Sequence, residues 1–493
     1  MIIKTATPRD AARKPTLFLA YFQKEPLDKE VIFSSLPARM QTLLRAFAKK
    51  EFRGEEGEIK TLWLPQKRIV LFGLGEKSKW NERKSHLVPR RFVQYAKTAR
   101  VAEFACSLRP LKDAALAATR FAVNAVMADF AFTHYKEKPK QGWPEVQTIS
   151  LAVEKSALPE ATHGLKEGIV IGEEINHCRV LANTPGGDMT PMRLANAAAE
   201  AAKRTGISVK ILDEKAMKRL GMGGVLGVAR GSSEKPAFII LEHRKGPKNQ
   251  KPLVLVGKGV TFDTGGLNLK PEKGISEMHM DMSGGAAVIH GIAAIARLAL
   301  PINVIGLIPA VENMPSGSSY HPGDILKTIT GKTIEVGNTD AEGRVILADA
   351  LGYAARLSPG LVVDIATLTG AAMSALGMRA SGLFTADEKR ETLFRKLGEA
   401  SGDYLWPLPL WDEYQEEIKG TFGDFSNIGK MERVGGAITA AMFLKQFVSY
   451  PWVHIDMAPT MTTIDSDILA KGAKGTGVRL FVELAKEYIK GTI

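Results

Sequence analysis

The sequence predicts an α/β protein of two domains: a smaller N-terminal α/β domain, and a larger C-terminal α/β domain whose mainly parallel central sheet is covered by helices. Three observations predict it. At 493 residues the chain exceeds what one hydrophobic core usually holds. Apolar runs of strand length alternate with helix-period stretches from end to end. Charge is divided unevenly: residues 1–150 hold 28 Lys+Arg against 15 Asp+Glu, whereas the rest of the chain holds 38 of each.

In the first 150 residues, apolar runs at 16–20, 59–64, 68–73, 103–108 and 146–153 are expected strands. The stretches 36–50, 87–100 and 112–133 are expected helices. The charged, Pro-containing segment 136–144 reads as a surface loop near the domain's end. A periodic stretch at about 161–180 predicts a connecting helix, which stops before the turn signal Asn183-Thr184-Pro185-Gly186-Gly187-Asp188. These signals place a basic N-terminal domain at 1–155, the connecting helix at 156–182 and the second domain at 183–493. Expected strands of the second domain are 208–212, 237–242, 253–257, 303–311, 333–336, 361–367 and 453–457. Several are continuous apolar runs, the pattern of strands buried on both faces. In such open sheets, functional groups gather beyond the carboxyl ends of the strands.

With 45% hydrophobic and 24% charged residues, the composition is that of an ordinary globular protein. No apolar run reaches the roughly 18 residues that suggest a membrane span. Met1-Ile2-Ile3-Lys4 does not open a charged-then-apolar leader, so the expected compartment is cytoplasmic. Cys106 and Cys178 are the only cysteines, which excludes a disulfide framework and a zinc site built from thiolates alone. The basic N-terminal third is either a solvated face or a surface for an acidic partner such as nucleic acid. No aromatic-interleaved basic stripe or DNA-reading motif accompanies the charge.

The segment Val336-Gly337-Asn338-Thr339-Asp340-Ala341-Glu342-Gly343-Arg344 places two carboxylates and a guanidinium at two-residue intervals, ahead of a helix-like stretch at 345–355. Extended backbone would point Asp340, Glu342 and Arg344 to one side. Two facing acids repel unless a cation lies between them, so the spacing predicts metal binding. A second segment, Val256-Gly257-Lys258-Gly259-Val260-Thr261-Phe262-Asp263-Thr264-Gly265-Gly266, sets Lys258 and Asp263 in glycine-rich backbone that can approach a ligand closely. Lys270, Met278, His279 and Asp281 follow it. Alone, Asp263 would read as a turn former or helix cap. In combination, Asp263, Asp281, Asp340 and Glu342 suit a pair of divalent cations sharing carboxylates. Such a pair lowers the pKa of a bridging water and polarises a carbonyl or phosphoryl oxygen. Lys258, Lys270 and Arg344 supply positive charge for a developing oxyanion. The residues thus predict a dinuclear hydrolase and leave peptide and phosphate ester open.

Other motifs fail. Gly331-Lys332-Thr333 lacks the upstream glycine of a phosphate-binding loop, where Leu326 stands. The glycines at 221, 223, 224 and 227 miss the dinucleotide-binding spacing, and the nine histidines form no His-Glu-x-x-His pair. His279 reads as a structural imidazole or as a neighbour of the ligand Asp281. Ser283, with no Gly-x-Ser-x-Gly elbow around it, reads as a helix N-cap.

At these residues the chain resembles the leucyl (cytosol) aminopeptidases, the dizinc M17 family. The family signature Asn-Thr-Asp-Ala-Glu-Gly-Arg stands intact at 338–344, its Gly-Lys-Gly-(Ile/Val)-Thr-Phe-Asp-(Ser/Thr)-Gly-Gly stretch at 257–266, and its downstream Lys and Asp at 270 and 281. Further similar segments are 179–191, 364–371 and Trp452-Val453-His454-Ile455-Asp456, so the likeness covers about 170–490. The resemblance implies one metal held by Lys258, Asp263, Asp281 and Glu342, and another held by Asp263, Asp340 and Glu342. Zinc is the implied cation, with Mn²⁺ or Mg²⁺ at an exchangeable site. Lys258 would bind as a neutral amine, its pKa depressed by two dications. Lys270 would stabilise the tetrahedral oxyanion, and Arg344 would hold a bicarbonate acting as general base.

By the same resemblance, a metal-bridging hydroxide attacks the first peptide bond, and the substrate's free α-amine binds one metal and Asp281. Met278, Thr367, Gly370, Ala458 and Met461 would line the pocket for the first side chain, which suits Leu or Met. His279, Ser283-Gly284-Gly285 and Pro459 depart from the usual Lys, Cys-Gly-Ala and Gly of relatives without removing a ligand. The implied partners are peptides with a free N-terminus and five further copies in a homohexamer, with no membrane. Because some bacterial relatives bind DNA, a nucleic-acid role for the basic N-terminal domain stands beside the peptidase. A dinuclear phosphohydrolase is the alternative from the residues alone.

Overall fold

The computed structural model describes all residues except 108–112, 432, 433 and 493. It divides into two compact units, Met1–Glu173 with Ile464–Ala470, and Glu174–Thr463 with Lys471–Ile493. Among the described residues no helix is long and apolar enough to cross a membrane.

The first unit is built on six strands: β1 (Ile2–Ala6), β2 (Thr16–Tyr21), β3 (Ile59–Leu64), β4 (Lys67–Gly73), β5 (Glu103–Ser107) and β6 (Thr148–Ala152). Their order is β1-β6-β5-β2-β4-β3, parallel throughout except for the edge strand β3. Alternation along β2 explains the two-sided core. Phe18 and Ala20 pack with Phe92 and Val93 of helix Glu82–Thr98 and with Phe121 of helix Ala114–Asp129. Leu17 and Leu19 pack on the other face with Ile32, Phe33 and Leu44. Leu108 and Lys112, which close an expected strand and open an expected helix, lie outside the described residues. Strand β1 carries no long apolar run to mark it in the sequence. It is ordered by parallel pairing with β6.

The second unit holds the remaining strands: β7 (Ser208–Leu212), β8 (Ala237–Arg244), β9 (Leu253–Gly257), β10 (Gly259–Asp263), β11 (Asn303–Asn313), β12 (Ile325–Lys327), β13 (Thr333–Glu335), β14 (Leu361–Ala366), β15 (Ser381–Phe384), β16 (Leu405–Pro407), β17 (Phe425–Ser426) and β18 (Trp452–Asp456). Nine form one sheet, ordered β16-β15-β18-β14-β9-β11-β8-β7, with β10 pairing β11. Its centre (β18, β14, β9, β11, β10) is parallel, and antiparallel pairings flank it. Every residue of β9 and β14 is buried, in keeping with their unbroken apolar runs. Helix Ser283–Arg297 covers one face and is buried through Ile295.

Two sequence expectations are corrected here. The expected extended arrangement of Asp340, Glu342 and Arg344 does not occur: β13 ends at Glu335, residues 338–341 turn, and helix Glu342–Ala354 begins at Glu342 itself. An acid in the first helical turn faces the positive end of the helix dipole, which favours this earlier start. Ser283 is the first helical residue rather than the cap, and its Oγ donates back to Met280 O at 2.6 Å.

Candidate metal centre

The parallel strands deliver their chemistry at their carboxyl ends. Lys258 is the single residue between β9 and β10, and Asp263 closes β10. The loop after β10 carries Lys270, a short 3₁₀ turn Met278–Met280 leads to Asp281, and Thr367 follows β14. Asp340 occupies the turn and Glu342 and Arg344 the first turn of the helix behind it. All the charged site residues expected from the sequence line one cavity of about 130 Å³: Lys258, Asp263, Lys270, Asp281, Asp340, Glu342 and Arg344. Met278, Thr367, Gly370, Ala458 and Met461 line it too. His279 does not; it is half-buried nearby, and burial lowers its pKa.

The acids stand close together. Ligand oxygens of Asp263, Asp340 and Glu342 lie within 4.8 Å of one another. Lys258 Nζ lies 2.8 Å from Asp281 Oδ2 and 2.7 Å from Glu342 Oε1, and donates to Thr367 O at 3.1 Å. Lys270 Nζ lies 2.8 Å from Asp263 Oδ2 and pairs also with Asp340. Burial would lower both lysines, but the surrounding carboxylates outweigh it and hold them above their ordinary range. Burial and the neighbouring acids push Asp281 well up, and Asp340 up to about 6. Burial brings Arg344 down to about 10.

Lys258 pairs with Asp281 Oδ2 and Glu342 Oε1 and Lys270 with Asp340 Oδ1, while Glu342 Oε2 is buried with no hydrogen-bond partner. Buried carboxylate oxygens in that condition cost free energy unless a cation takes them up. Four carboxylates facing two ammonium groups therefore fit divalent cations, and this oxygen-rich set with one amine suits hard or borderline metals. Arg344 Nη1 is tied to Asn427 O at 2.9 Å, while its Nε has no partner. That leaves a donor for an anion.

Several supporting residues carried no usable signal in the sequence. Asn313, fully buried at the end of β11, donates through Nδ2 to Asp263 Oδ1 (2.8 Å) and Thr339 O (3.0 Å), fixing the acid's orientation. Asn427 Oδ1 accepts from Gly337 N and Asn338 N and so holds the turn that carries Asp340. Leu368, Thr369 and Met373 join the cavity wall. A lone Asn or Met at a strand or helix end is too common to single out. Only the strand-end positions beside Asp263 and Asp340 could have suggested them.

Comparison with known proteins covers the stretch of chain in which these residues lie. Residues 176–482 match the model of the cytosol aminopeptidase family, catalytic domain, and residues 19–139 match that family's N-terminal domain. A "Probable cytosol aminopeptidase" of Geobacter sulfurreducens is 42% identical over 471 residues, covering 93% of this chain and 94% of that protein. One from Chlorobaculum tepidum is 47% identical over 355 residues, 71% of this chain and 70% of its own. Among solved structures, the bottromycin maturation enzyme BotP in complex with Mn superposes with a TM-score of 0.84 at 28% identity, over 96% of this chain and 99% of BotP.

Proposed function

Because the chain belongs to the cytosol aminopeptidase family, and is accordingly a metal-dependent aminopeptidase, we propose that it releases Leu, Met and similar residues from the free N-terminus of peptides with two divalent cations bound. Membership also decides for peptide over the phosphate ester that the residues alone had left open. The observation that carries the finer reading is the meeting of four carboxylates on two lysines, with Glu342 Oε2 buried and without a hydrogen bond, in a cavity lined by methionines. Lys258 (as the neutral amine), Asp263, Asp281 and Glu342 would hold one cation, and Asp263, Asp340 and Glu342 the other; zinc, manganese and magnesium are the candidates.

Bound there, the pair would polarise the scissile carbonyl and acidify a water enough for hydroxide to attack near neutral pH. The chain's own groups do the rest. Asp281 Oδ2 accepts the substrate's α-amino group, which restricts cleavage to the first peptide bond. Lys270 turns its ammonium toward the carbonyl oxygen as charge develops there. Arg344 offers its unpartnered Nε to an anion such as bicarbonate, beside the helix N-terminus that already favours one. Met278, Met461, Ala458, Thr367 and Gly370 present a largely apolar wall to the first side chain.

The test is release of Leu from an unblocked peptide with Mn²⁺ or Zn²⁺ supplied and with chelator present. Loss with chelator is expected; equal cleavage of the N-acetylated peptide would overturn the role of the free amine. A homohexamer belongs to the same reading, and light scattering in solution checks it. The basic first 150 residues support a second role in electrostatic attachment to duplex DNA. Affinity should then fall steeply with salt.

A further inference from the structure

We propose that Asp456 is a positioning residue for substrate selection, a carboxylate that clamps together the two walls of the side-chain pocket. The inference rests on the aminopeptidase reading of that cavity and assigns a residue outside its lining. Asp456 ends β18 and is fully buried. Its Oδ1 accepts from Leu368 N (3.1 Å) and Thr369 N (3.4 Å) on one side, and from Ala458 N (3.2 Å) on the other. Its Oδ2 accepts from Thr369 Oγ1 at 2.7 Å.

These donors belong to two different segments. Leu368 and Thr369 follow β14, whereas Ala458 follows β18. β14 and β18 are neighbouring parallel strands, with Ala366 opposite Asp456, so both chains leave the sheet at the same level. Beyond that point the backbone ladder continues only through Met457 N to Ala366 O at 2.7 Å. Without the carboxylate, three backbone N–H groups, two of them in fully buried hydrogen bonds, would lose this acceptor, at the place where the walls must keep a fixed separation. Thr369 Oγ1 also accepts from Ala372 N at 3.0 Å and so caps helix Gly370–Leu376, which carries Gly370 and Met373 of the same wall. On the metal side, Thr367 Oγ1 donates to Asp281 Oδ1 at 2.7 Å. One carboxylate thereby sets the width of the pocket and links it to the group expected to receive the α-amine.

Asp456 does not line the cavity, so its removal should change which side chain is preferred more than the chemistry itself. The experiment compares kcat and KM for Leu- and Ala-initiated peptides in the full-length, Mn²⁺-loaded enzyme. Asp456→Ala should lower the Leu-over-Ala ratio of kcat/KM at least tenfold, mainly through KM for the Leu peptide, with metal content unchanged. Asp456→Asn should restore the ratio, since its Oδ1 can still accept the three N–H groups and its Nδ2 can donate to Thr369 Oγ1. An unchanged ratio in Asp456→Ala, or an equal fall for both peptides, overturns the proposal. Should Asp456→Ala fail to fold, Thr369→Val and Thr369→Ser decide: Val should lower the ratio, Ser should keep it, and equal behaviour of the two overturns it. Failure of the aminopeptidase reading would look different, since the wild-type enzyme would then release neither residue.

Discussion

Gly265 and Gly343 couple backbone geometry directly to the candidate metal ligands. Gly265 sits at φ +89°, and a Cβ there would meet Asn268 O at 2.4 Å and Asp340 Oδ1 at 3.0 Å. At Gly343 the added carbon would lie 2.6 Å from Lys258 Cε. Gly265→Ala should therefore lower stability by about 1–3 kcal/mol in denaturant titration, because conformation and space both oppose it. Lys270→Ala should reduce kcat by about 10²–10³-fold, with KM for a Leu peptide little changed. Steady-state kinetics check it, and an unaltered kcat removes the oxyanion role. Much of this scale was legible in the sequence, because acids and lysines in glycine-rich loops have few other uses in such combination. Asn313 and Asn427 were not, since their importance lies in which donor meets which oxygen across 50 residues or more.

Helix Glu342–Ala354 is the element on which the site depends, and Asp349 anchors it from within. Its two oxygens accept Ile329 N at 2.8 Å and Val225 N at 2.9 Å, tying the helix to two other segments. Burial pushes this carboxyl up to about 7, against the opposing pull of the backbone N–H donors. The sign follows from linkage: the folded chain holds the proton more tightly than the unfolded chain, whose carboxyl sits near 3.8. Stability from this group is greatest below that value and declines as pH rises toward about 7. In urea unfolding across this range, the stability of wild type relative to Asp349→Asn should fall as pH rises, whatever the two curves share. At this scale the strands buried on both faces were legible as apolar runs. The helix start is not legible there, because two-residue spacing is equally compatible with a turn followed by the first helical turn, and only the surrounding packing selects between them.

At the scale of the whole molecule, acid and metal should act on stability in separate ways. Glu174, fully buried, accepts Arg204 through both guanidinium nitrogens (2.5 and 2.9 Å), Arg297 at 2.7 Å and His290 Nδ1 at 2.8 Å. These contacts join the helices Pro191–Thr205 and Ser283–Arg297 to the segment that begins the second unit. Burial alone would raise Glu174, but its donors outweigh burial and hold it far below the usual range; His290 is lowered by burial. Both shifts are downward, so the unfolded chain binds these protons more tightly and the stability these two groups contribute is complete at higher pH. It should erode as pH falls below about 6.5 through His290, and further below 4.5 through Glu174. Thermal melts of His290→Gln should lack the first part of that loss. Metal should act through the Glu342 cluster: Mn²⁺ at a hundredfold excess over its Kd contributes about 2.7 kcal/mol, and Glu342→Ala should abolish the gain. The sequence by itself determined which residues could hold metal, which runs become buried strands and to which family the motifs point, because composition and local spacing carry that information. The tertiary structure alone decided that Asp340, Glu342 and Arg344 converge through a turn and a helix start. It alone brought Lys258 against Asp281 and Glu342, and set Asp456 across the two pocket walls. Those are contacts between strand ends far apart in the chain, and only the parallel sheet brings such ends together.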